Sequence, residues 1–118
     1  CKLEPVPTEE AVSENIARYG RLGLQVHFTE VDVKCPDPCT EEDLERQAET
    51  YELLLSACLA NSGVCTSFET WGFTDKYTWL VGDRCSTESC HPLPFDEQFV
   101  PKPAAVKMLA LLQRDTPN

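Results

Sequence analysis

The sequence predicts an α/β fold in which two parallel strands belong to a larger sheet. Apolar residues recur at helical spacing in three segments and at strand spacing in two, in the order helix, strand, helix, strand, loop, helix. Strands that are separated by full helices pair in parallel through right-handed crossovers. Because two parallel strands alone have unprotected edges, we expect the chain to be a piece of a larger α/β fold.

The first helix is predicted over residues 8–19, and a strand over residues 24–33 follows it. Thr8 is a suitable N-cap, and the two glutamates after it suit the positive end of the helix dipole. One apolar stripe at helical spacing comprises Val12, Ile16 and Tyr19. Gly20 and Gly23 lie where the helix is expected to end.

The strand LQVHFTEVDV ends in two acidic residues, Glu30 and Asp32, among valines and a phenylalanine. Alternation along a strand places both acids on the same face as Val26 and Phe28. Burying an unpaired carboxylate is costly, so two explanations stay open. Either the strand end reaches solvent, or it presents an active-site carboxylate at the carboxyl end of the sheet, where (β/α)8 barrels place catalytic groups.

The second helix is predicted over residues 40–60, where Thr40 opens the capping-box sequence TEED. Its acidic start, TEEDLERQAE, is expected to be a solvated face. Its apolar positions comprise Leu44, Ala48, Tyr51, Leu55, Cys58 and Leu59. A second strand is predicted over residues 66–73, and a loop without periodicity over residues 74–101 is functional or disordered at that length. The last helix is predicted over residues 103–113.

The charge balance argues against several kinds of partner. Twenty acidic residues against ten lysines and arginines give a net charge of −10, whereas nucleic acids and anionic membranes require basic patches. No apolar run approaches the roughly 20 residues of a membrane-spanning helix. The sequence contains no P-loop, G-x-G-x-x-G fingerprint or G-x-S-x-G elbow. We therefore predict no nucleic-acid or membrane partner, no cofactor and no metal.

Six of the seven cysteines form close pairs along the chain, which predicts local disulfides. The pairs are Cys35–Cys39, Cys58–Cys65 and Cys85–Cys90. Short pairs in an acidic chain are typical of an oxidising compartment, so we predict a secreted, extracellular protein. Zinc is the alternative, but the usual C-x2-C and H-x3-5-H spacings are missing. Cys1 is left over, and its three possible states are a bond to another chain, a bond to an upstream segment, and a free thiol.

Aromatic and polar residues cluster at the end of the second strand, in the sequence TWGFTDKYTW. Both tryptophans of the chain, Trp71 and Trp79, lie here with Asp75 and Lys76 between them. Aromatic rings can flank the apolar C–H faces of sugars, while acids and lysines can hydrogen-bond sugar hydroxyls. Tryptophans are also common in protein cores, so both interpretations stay open.

Four blocks of the sequence together resemble the C-terminal part of glycoside hydrolase family 10, the endo-1,4-β-xylanases. They are GLQVHFTEVDV, QAETYELLLSACLANSGVC, WGFTDKYTW and HPLPFDEQFVPKPAAVKMLALL, and their order and spacing match the family. The resemblance implies that residues 1–118 are a single partial (β/α)8 TIM-barrel segment, from the sixth helix to the eighth, with two parallel strands. It also implies cleavage of β-1,4-xylan with retention of configuration.

The resemblance implies roles for individual residues. Glu30 matches the catalytic nucleophile of the family, on strand seven of the barrel. Substrate contacts are expected from Asp32, Trp71, Asp75, Lys76 and Trp79. Of these, the tryptophans match rings that line the glycone side of the cleft. The Cys58–Cys65 pair resembles a disulfide of the family.

The chain also departs from the family pattern. The acid/base glutamate of the family follows an asparagine after strand four, and this segment and strands one to six are missing. We therefore predict activity only if a companion chain or an upstream segment supplies the rest of the barrel, with Cys1 as a natural tether. The alternative is a catalytically inactive, secreted protein that binds carbohydrate or assembles with copies of itself.

Overall fold

The computed structural model describes residues 5–85 and 89–115, and within them the helices and strands follow the predicted order. The elements are α1 (Glu9–Arg21), β1 (Val26–Val31), α2 (Glu41–Ala60), β2 (Cys65–Thr70) and α3 (Pro103–Asp115), with 3-10 turns at Asp75–Tyr77 and Gly82–Arg84. β1 and β2 pair in parallel, as predicted. Among the residues described, none of the helices combines the length and the apolar content of a membrane span.

The ends of α1 have local causes. Thr8 Oγ1 accepts a hydrogen bond from the Ala11 N–H at 3.2 Å, which satisfies one of the free donors of the first turn. The helix continues through Gly20, past the predicted end. A Cβ atom at position 20 would lie 2.5 Å from Val64 Cγ2, so the glycine allows α1 to pack closely against the segment before β2.

α2 begins with the capping box that the sequence predicts. The Asp43 N–H donates to Thr40 Oγ1 at 3.2 Å, and the Thr40 N–H donates to Asp43 Oδ2 at 3.1 Å. The helix contacts both α1 and α3. Its buried residues comprise Gln47, Ala48, Tyr51, Leu55, Ala57 and Cys58. The burial of Gln47 corrects the expectation that the whole acidic start of this helix is solvated.

Two apolar clusters hold the sheet to the helices. The first comprises Ile16, Ala57, Cys58 and Cys65, and the second comprises Val31, Ala48, Tyr51 and Ala104. Phe28 of β1 and its register partner Phe68 of β2 contact both clusters, with their ring centroids 5.6 Å apart. The two rings therefore join the clusters across the strand pair, and the aromatic contact adds to the stabilisation from buried apolar area.

The described part of the long segment after β2 is tied down by backbone hydrogen bonds. The Asp75 N–H donates to Phe95 O at 2.9 Å, and the Val33 N–H donates to Pro92 O at 3.1 Å. The second bond joins the segment to the chain that follows β1. Paired backbone groups of this kind explain how a segment without hydrophobic periodicity has a defined path.

Candidate active site

β1 ends in an irregularity at Glu30, which decides which side chains the strand presents. The φ angle of Glu30 is 60°, in the left-handed region, and the strand register shifts between Phe28 and Val31. A left-handed residue other than glycine costs about 1–3 kcal/mol and is typical of functional sites. Val31 packs into the cluster that Phe28 contacts, while Glu30 is exposed. The prediction that strict alternation places Phe28 and Glu30 on one face is therefore wrong.

β2 ends beside β1 because the two strands are parallel and pair up to their last residues. Val31 is the partner of Thr70, and the Trp71 N–H donates to Val31 O at 3.0 Å. Gly72 follows in the left-handed region with a φ of 102°, a conformation that a glycine adopts without a steric penalty. Trp71 is therefore fixed next to the residue that follows Glu30, and 48% of its surface is exposed.

Asp32 and Trp79 are joined by a hydrogen bond. The indole N–H of Trp79 donates to Asp32 Oδ2 at 2.8 Å. The guanidinium carbon of Arg84 lies 5.6 Å from the centroid of the Trp79 ring, within the range of a cation–π contact. The structure thus brings Glu30, Asp32, Trp71 and Trp79 to the same end of the two strands.

Asp75 lies in the interior and forms an ion pair with Lys102. Lys102 Nζ is 2.9 Å from Asp75 Oδ2, and the Leu93 N–H donates to Asp75 Oδ1 at 2.7 Å. Both charged side chains are almost fully buried. Burial lowers the pKa of Lys102, while the adjacent Asp75 carboxylate opposes that shift. This placement makes Asp75 a structural residue, because its carboxylate is buried and paired, whereas a substrate contact requires an accessible one.

Lys76 is exposed and contacts an aromatic cluster outside the tryptophan pair. Its Nζ atom lies 5.5 Å from the Tyr77 ring centroid and 5.4 Å from that of Phe99. Phe73 extends this cluster, with its ring centroid 5.8 Å from that of Phe99. Lys76 lies between the two tryptophans in the sequence, but in the structure its ammonium group contacts the rings of Tyr77 and Phe99.

A buried polar network beneath the site was missed by sequence reasoning. The network comprises Gln47, Tyr51, Asp75 and Lys102, and its members bind the backbone at positions 91–93. Gln47 Nε2 and Lys102 Nζ donate to His91 O at 2.7 and 2.8 Å, and the Tyr51 hydroxyl donates to Pro92 O at 2.8 Å. The sequence does contain one sign of this network, which is Lys102 in the largely apolar stretch VPKPAA. A lysine that is buried in such surroundings needs an acidic or hydrogen-bonding partner.

All three predicted disulfides form. Cys35–Cys39, Cys58–Cys65 and Cys85–Cys90 have Cα–Cα distances of 5.3, 5.1 and 5.7 Å. Two of them lie side by side, because the Cys35 N–H donates to Cys90 O at 2.6 Å. His91 Nε2 is also 2.7 Å from Asp37 Oδ1. These bonds join the segment after β1 to the segment that carries Trp79. Cys1 lies outside the described residues.

The arrangement presents carboxylates and exposed aromatic rings at one end of the sheet. Of the two acids at the end of β1, Asp32 is bound to Trp79, so Glu30 is the candidate nucleophile. Exposed indole rings can stack on sugar rings. In the described ranges, no group of three or more His, Cys, Asp or Glu side chains is arranged to hold a metal ion.

The sequence of the chain is similar to that of xylanases. The model for glycosyl hydrolase family 10 matches residues 3–111. Endo-1,4-beta-xylanase 2 of Aureobasidium pullulans is 34% identical over 107 residues, which cover 91% of this chain and 29% of that protein. Endo-1,4-beta-xylanase B of Thermotoga neapolitana is 35% identical over 105 residues, which cover 88% of this chain and 30% of that protein.

Solved xylanase structures share the fold. Native xylanase 10B of Thermotoga maritima has a TM-score of 0.81 and 34% identity, over 92% of this chain and 33% of that chain. Xylanase 10B of Thermotoga petrophila RKU-1, in complex with xylobiose, has a TM-score of 0.81 and 33% identity. The match covers 92% of this chain and 32% of that chain. The chain thus spans about a third of these proteins, and the predicted partial barrel with local disulfides is confirmed. The chain belongs to glycosyl hydrolase family 10.

Proposed function

We propose that this chain supplies the nucleophile and part of the substrate-binding surface of a secreted, retaining hydrolase of β-1,4-xylan. The observation that carries the proposal is the exposed Glu30, in the left-handed region at the end of β1 and beside exposed Trp71 and Trp79. Its position matches the family nucleophile, and a similar solved structure holds xylobiose. Three local disulfides support the secretion that the proposal includes.

In the proposed reaction, the Glu30 carboxylate attacks the anomeric carbon of a xylose unit and forms a covalent glycosyl–enzyme ester. The bond from that carbon to the glycosidic oxygen breaks, and the oxygen takes a proton from the acid/base residue of the completed barrel. Water then attacks the same carbon, gives its proton to that residue, and releases the Glu30 carboxylate. Two displacements retain the configuration, while Trp71 and Trp79 hold the sugar rings.

The chain needs the rest of a barrel for this reaction. Help from a general acid typically contributes about 10²–10⁴-fold, and positioning by the remaining cleft contributes more. The family segment that carries the acid/base glutamate has no counterpart among the four matching sequence blocks. We therefore include in the proposal a companion chain or an upstream segment that completes the barrel, with Cys1 as a tether.

A chimera tests the proposal directly. The region of Thermotoga maritima xylanase 10B that matches this chain is replaced by residues 5–115, and the release of reducing sugar from xylan is measured. We expect an active chimera, and a loss of at least about 10⁴-fold for Glu30→Gln, because the amide is not a nucleophile. The exposed Glu97→Gln is the matched control, expected to keep the activity.

Two results would contradict the proposal. One is a folded chimera, verified by circular dichroism, that releases no sugar. The other is full activity in the Glu30→Gln chimera, which would move the nucleophile to another residue. Hydrolysis of xylan by the unaided chain would instead contradict the need for the rest of the barrel.

The alternative is an inactive carbohydrate-binding or self-assembling protein, and one observation favours it. Three disulfides within separations of 4, 7 and 5 residues staple local structure without help from other strands, as in small independent scaffolds. Binding of xylan by the unaided chain, together with an inactive but folded chimera, would select this alternative.

A further inference from the structure

We propose that Trp79 and Arg84 together form a subsite for a xylan chain that carries a carboxylate, as a uronic-acid branch does. The inference rests on the proposed function and adds a substrate class to it. The tryptophan would stack on a sugar ring, and the arginine would bind the carboxylate beside that ring. Four observations on the geometry and charge of this corner of the molecule support the assignment.

The Trp79 ring is held in place and remains accessible. Its N–H donates to Asp32 Oδ2 at 2.8 Å, a charge-assisted bond that fixes the ring edge. Its backbone is tied back as well, since the Val81 N–H donates to Trp79 O at 3.1 Å. The ring is nevertheless 48% exposed. A fixed, exposed aromatic face is a surface to which a ligand binds with little loss of side-chain freedom.

Arg84 presents its guanidinium beside that ring. Its Cζ atom lies 5.6 Å from the ring centroid, and its Nη1 is 3.5 Å from Trp79 O, at the long limit of a hydrogen bond. Among the residues that the structure describes, no aspartate or glutamate forms a salt bridge with Arg84. Most of its five donors are therefore available, and a guanidinium fork matches a carboxylate in a bidentate manner.

Arg84 is one of several cations that form no salt bridge among the described residues, as are Arg18 and Arg21. The net charge is −10, and carboxylates pair with Arg46, Lys102 and Lys107 elsewhere in the described residues. What distinguishes Arg84 from the other cations is its place against the exposed Trp79 ring, where the carboxylate of a bound sugar chain can reach it. The neighbouring Asp83 is exposed and forms no salt bridge with Arg84 in the described part.

The segment that carries Arg84 is held in place by a backbone hydrogen bond and a disulfide. Arg84 belongs to the 3-10 turn Gly82–Arg84, in which the Cys85 N–H donates to Gly82 O at 2.9 Å. The Cys85–Cys90 disulfide closes this segment. Lys34 Nζ approaches Arg84 O to 3.5 Å, which brings a second cation to the same corner. The positive charge is thus held beside Trp79 before any ligand binds.

A pair of matched sugars tests the inference. The probes are a linear xylo-oligosaccharide and the same oligosaccharide with one glucuronic-acid branch, titrated calorimetrically into the 118-residue chain and into the chimera. We expect the acidic sugar to bind about threefold to tenfold more tightly at low salt. The preference should shrink as the ionic strength rises.

Three variants separate charge from packing. Arg84→Gln is expected to bring the two affinities together, while Arg84→Lys, which keeps the positive charge, should retain part of the preference. Arg18→Gln is the matched control and should keep the full preference, because α1 ends near the start of β1, at the opposite end of the sheet. Circular dichroism verifies that each variant is folded.

Three outcomes of these experiments would contradict the inference. Equal affinities for the two sugars in the parent would overturn the subsite and leave the proposed function standing. An Arg84→Gln variant that weakens both sugars by the same factor would make Arg84 only a packing partner of Trp79. If neither the chain nor the chimera binds either sugar, the proposed function fails and the inference fails with it.

Discussion

Three acidic side chains lie near the ends of the two strands, and each has different surroundings. Glu30 is exposed at a left-handed position, Asp32 accepts a hydrogen bond from Trp79, and Asp75 is paired with Lys102 in the interior. All three residues carry a carboxylate, so their different roles follow from how deeply each side chain is buried and which partners it binds. A carboxylate that faces solvent can attack a ligand, whereas a buried and paired one contributes to structure.

Asp75→Asn is expected to destabilise the chain strongly. The variant leaves the Lys102 ammonium in the interior without its counter-charge, and breaking a buried ion pair in this way typically costs about 3–5 kcal/mol. Urea unfolding followed by circular dichroism measures the free energy of unfolding. Asp83→Asn, an exposed aspartate on the adjacent 3-10 turn, is the control. Equal stability of the two variants would contradict the structural role.

We expect the folded chain to lose stability at high pH because of the buried phenol of Tyr51. Burial raises the pKa of Tyr51 above its ordinary value of 10.0, so only the unfolded state loses the phenolic proton as the pH passes 10. This contribution is complete below pH 10 and falls by about 1.4 kcal/mol per pH unit above it. The lowered pKa of Lys102 acts in the opposite sense, because there the unfolded state holds more protons.

Comparison of the parent with Tyr51→Phe isolates this effect, since Lys102 is present in both. The difference in the free energy of unfolding is measured between pH 9 and pH 11, where the parent should lose more stability than the variant. The exposed Tyr77→Phe controls for the loss of a phenol as such. Parallel curves for parent and Tyr51→Phe would show that the unfolded phenol does not drive the alkaline loss.

The elements begin and end where side chains satisfy or distort the backbone. α2 starts at a reciprocal cap between Thr40 and Asp43, and α1 continues through Gly20 because Val64 packs where a side chain would lie. β1 is shorter than the apolar pattern predicts, and the left-handed Glu30 lies where its register shifts. At this shift Glu30 is exposed while Val31 packs into the core, so the irregularity places the candidate nucleophile outside the core.

Removal of the α2 cap should weaken this helix and the sheet that it covers. Thr40→Ala loses the acceptor for the Asp43 N–H, and loss of such a cap costs about 0.5–2 kcal/mol. The midpoint of thermal unfolding measures the change. Thr40→Ser keeps a hydroxyl and should stay close to the parent. A serine variant as unstable as the alanine variant would point to the lost methyl group instead of the lost hydrogen bond.

At the scale of the whole chain, the described structure matches 33% of a solved xylanase, and part of its surface is apolar and exposed. Val106, Leu109 and Leu112 of α3 are each about half exposed, beside an open cavity that Phe73 and Phe95 also line. In the described residues, each strand pairs with one neighbour. Apolar patches and free strand edges of this kind usually mark surfaces that other chains cover.

We therefore expect the unaided chain to associate. Sedimentation velocity should give an average mass that rises with concentration, and Leu109→Lys should lower it by placing a charge in the patch. Leu22→Lys is the matched control, since Leu22 is 74% exposed at the end of α1 and outside the patch. A parent that is monomeric at all concentrations, or equal effects of the two lysines, would contradict this expectation.

The sequence by itself determined the order of the helices and strands, the Thr40 cap and the three cysteine pairs. Each of these depends on residues within a few positions of one another, so periodicity and spacing contain the information. The family blocks added Glu30 as the candidate nucleophile. The open edges of a two-stranded sheet were also predictable, because parallel pairing follows from the helix between the strands.

Only the tertiary structure decided which polar side chains face the site. Trp79 and Asp32 are 47 positions apart, and Lys102 and Asp75 are 27 apart. Contacts over such separations depend on how the whole chain packs, and no local pattern encodes them. The register shift at Glu30 is likewise a feature of the pairing with the neighbouring strand. For this reason Asp32 became a partner of Trp79, Asp75 became part of the core, and Glu30 remained available to a ligand.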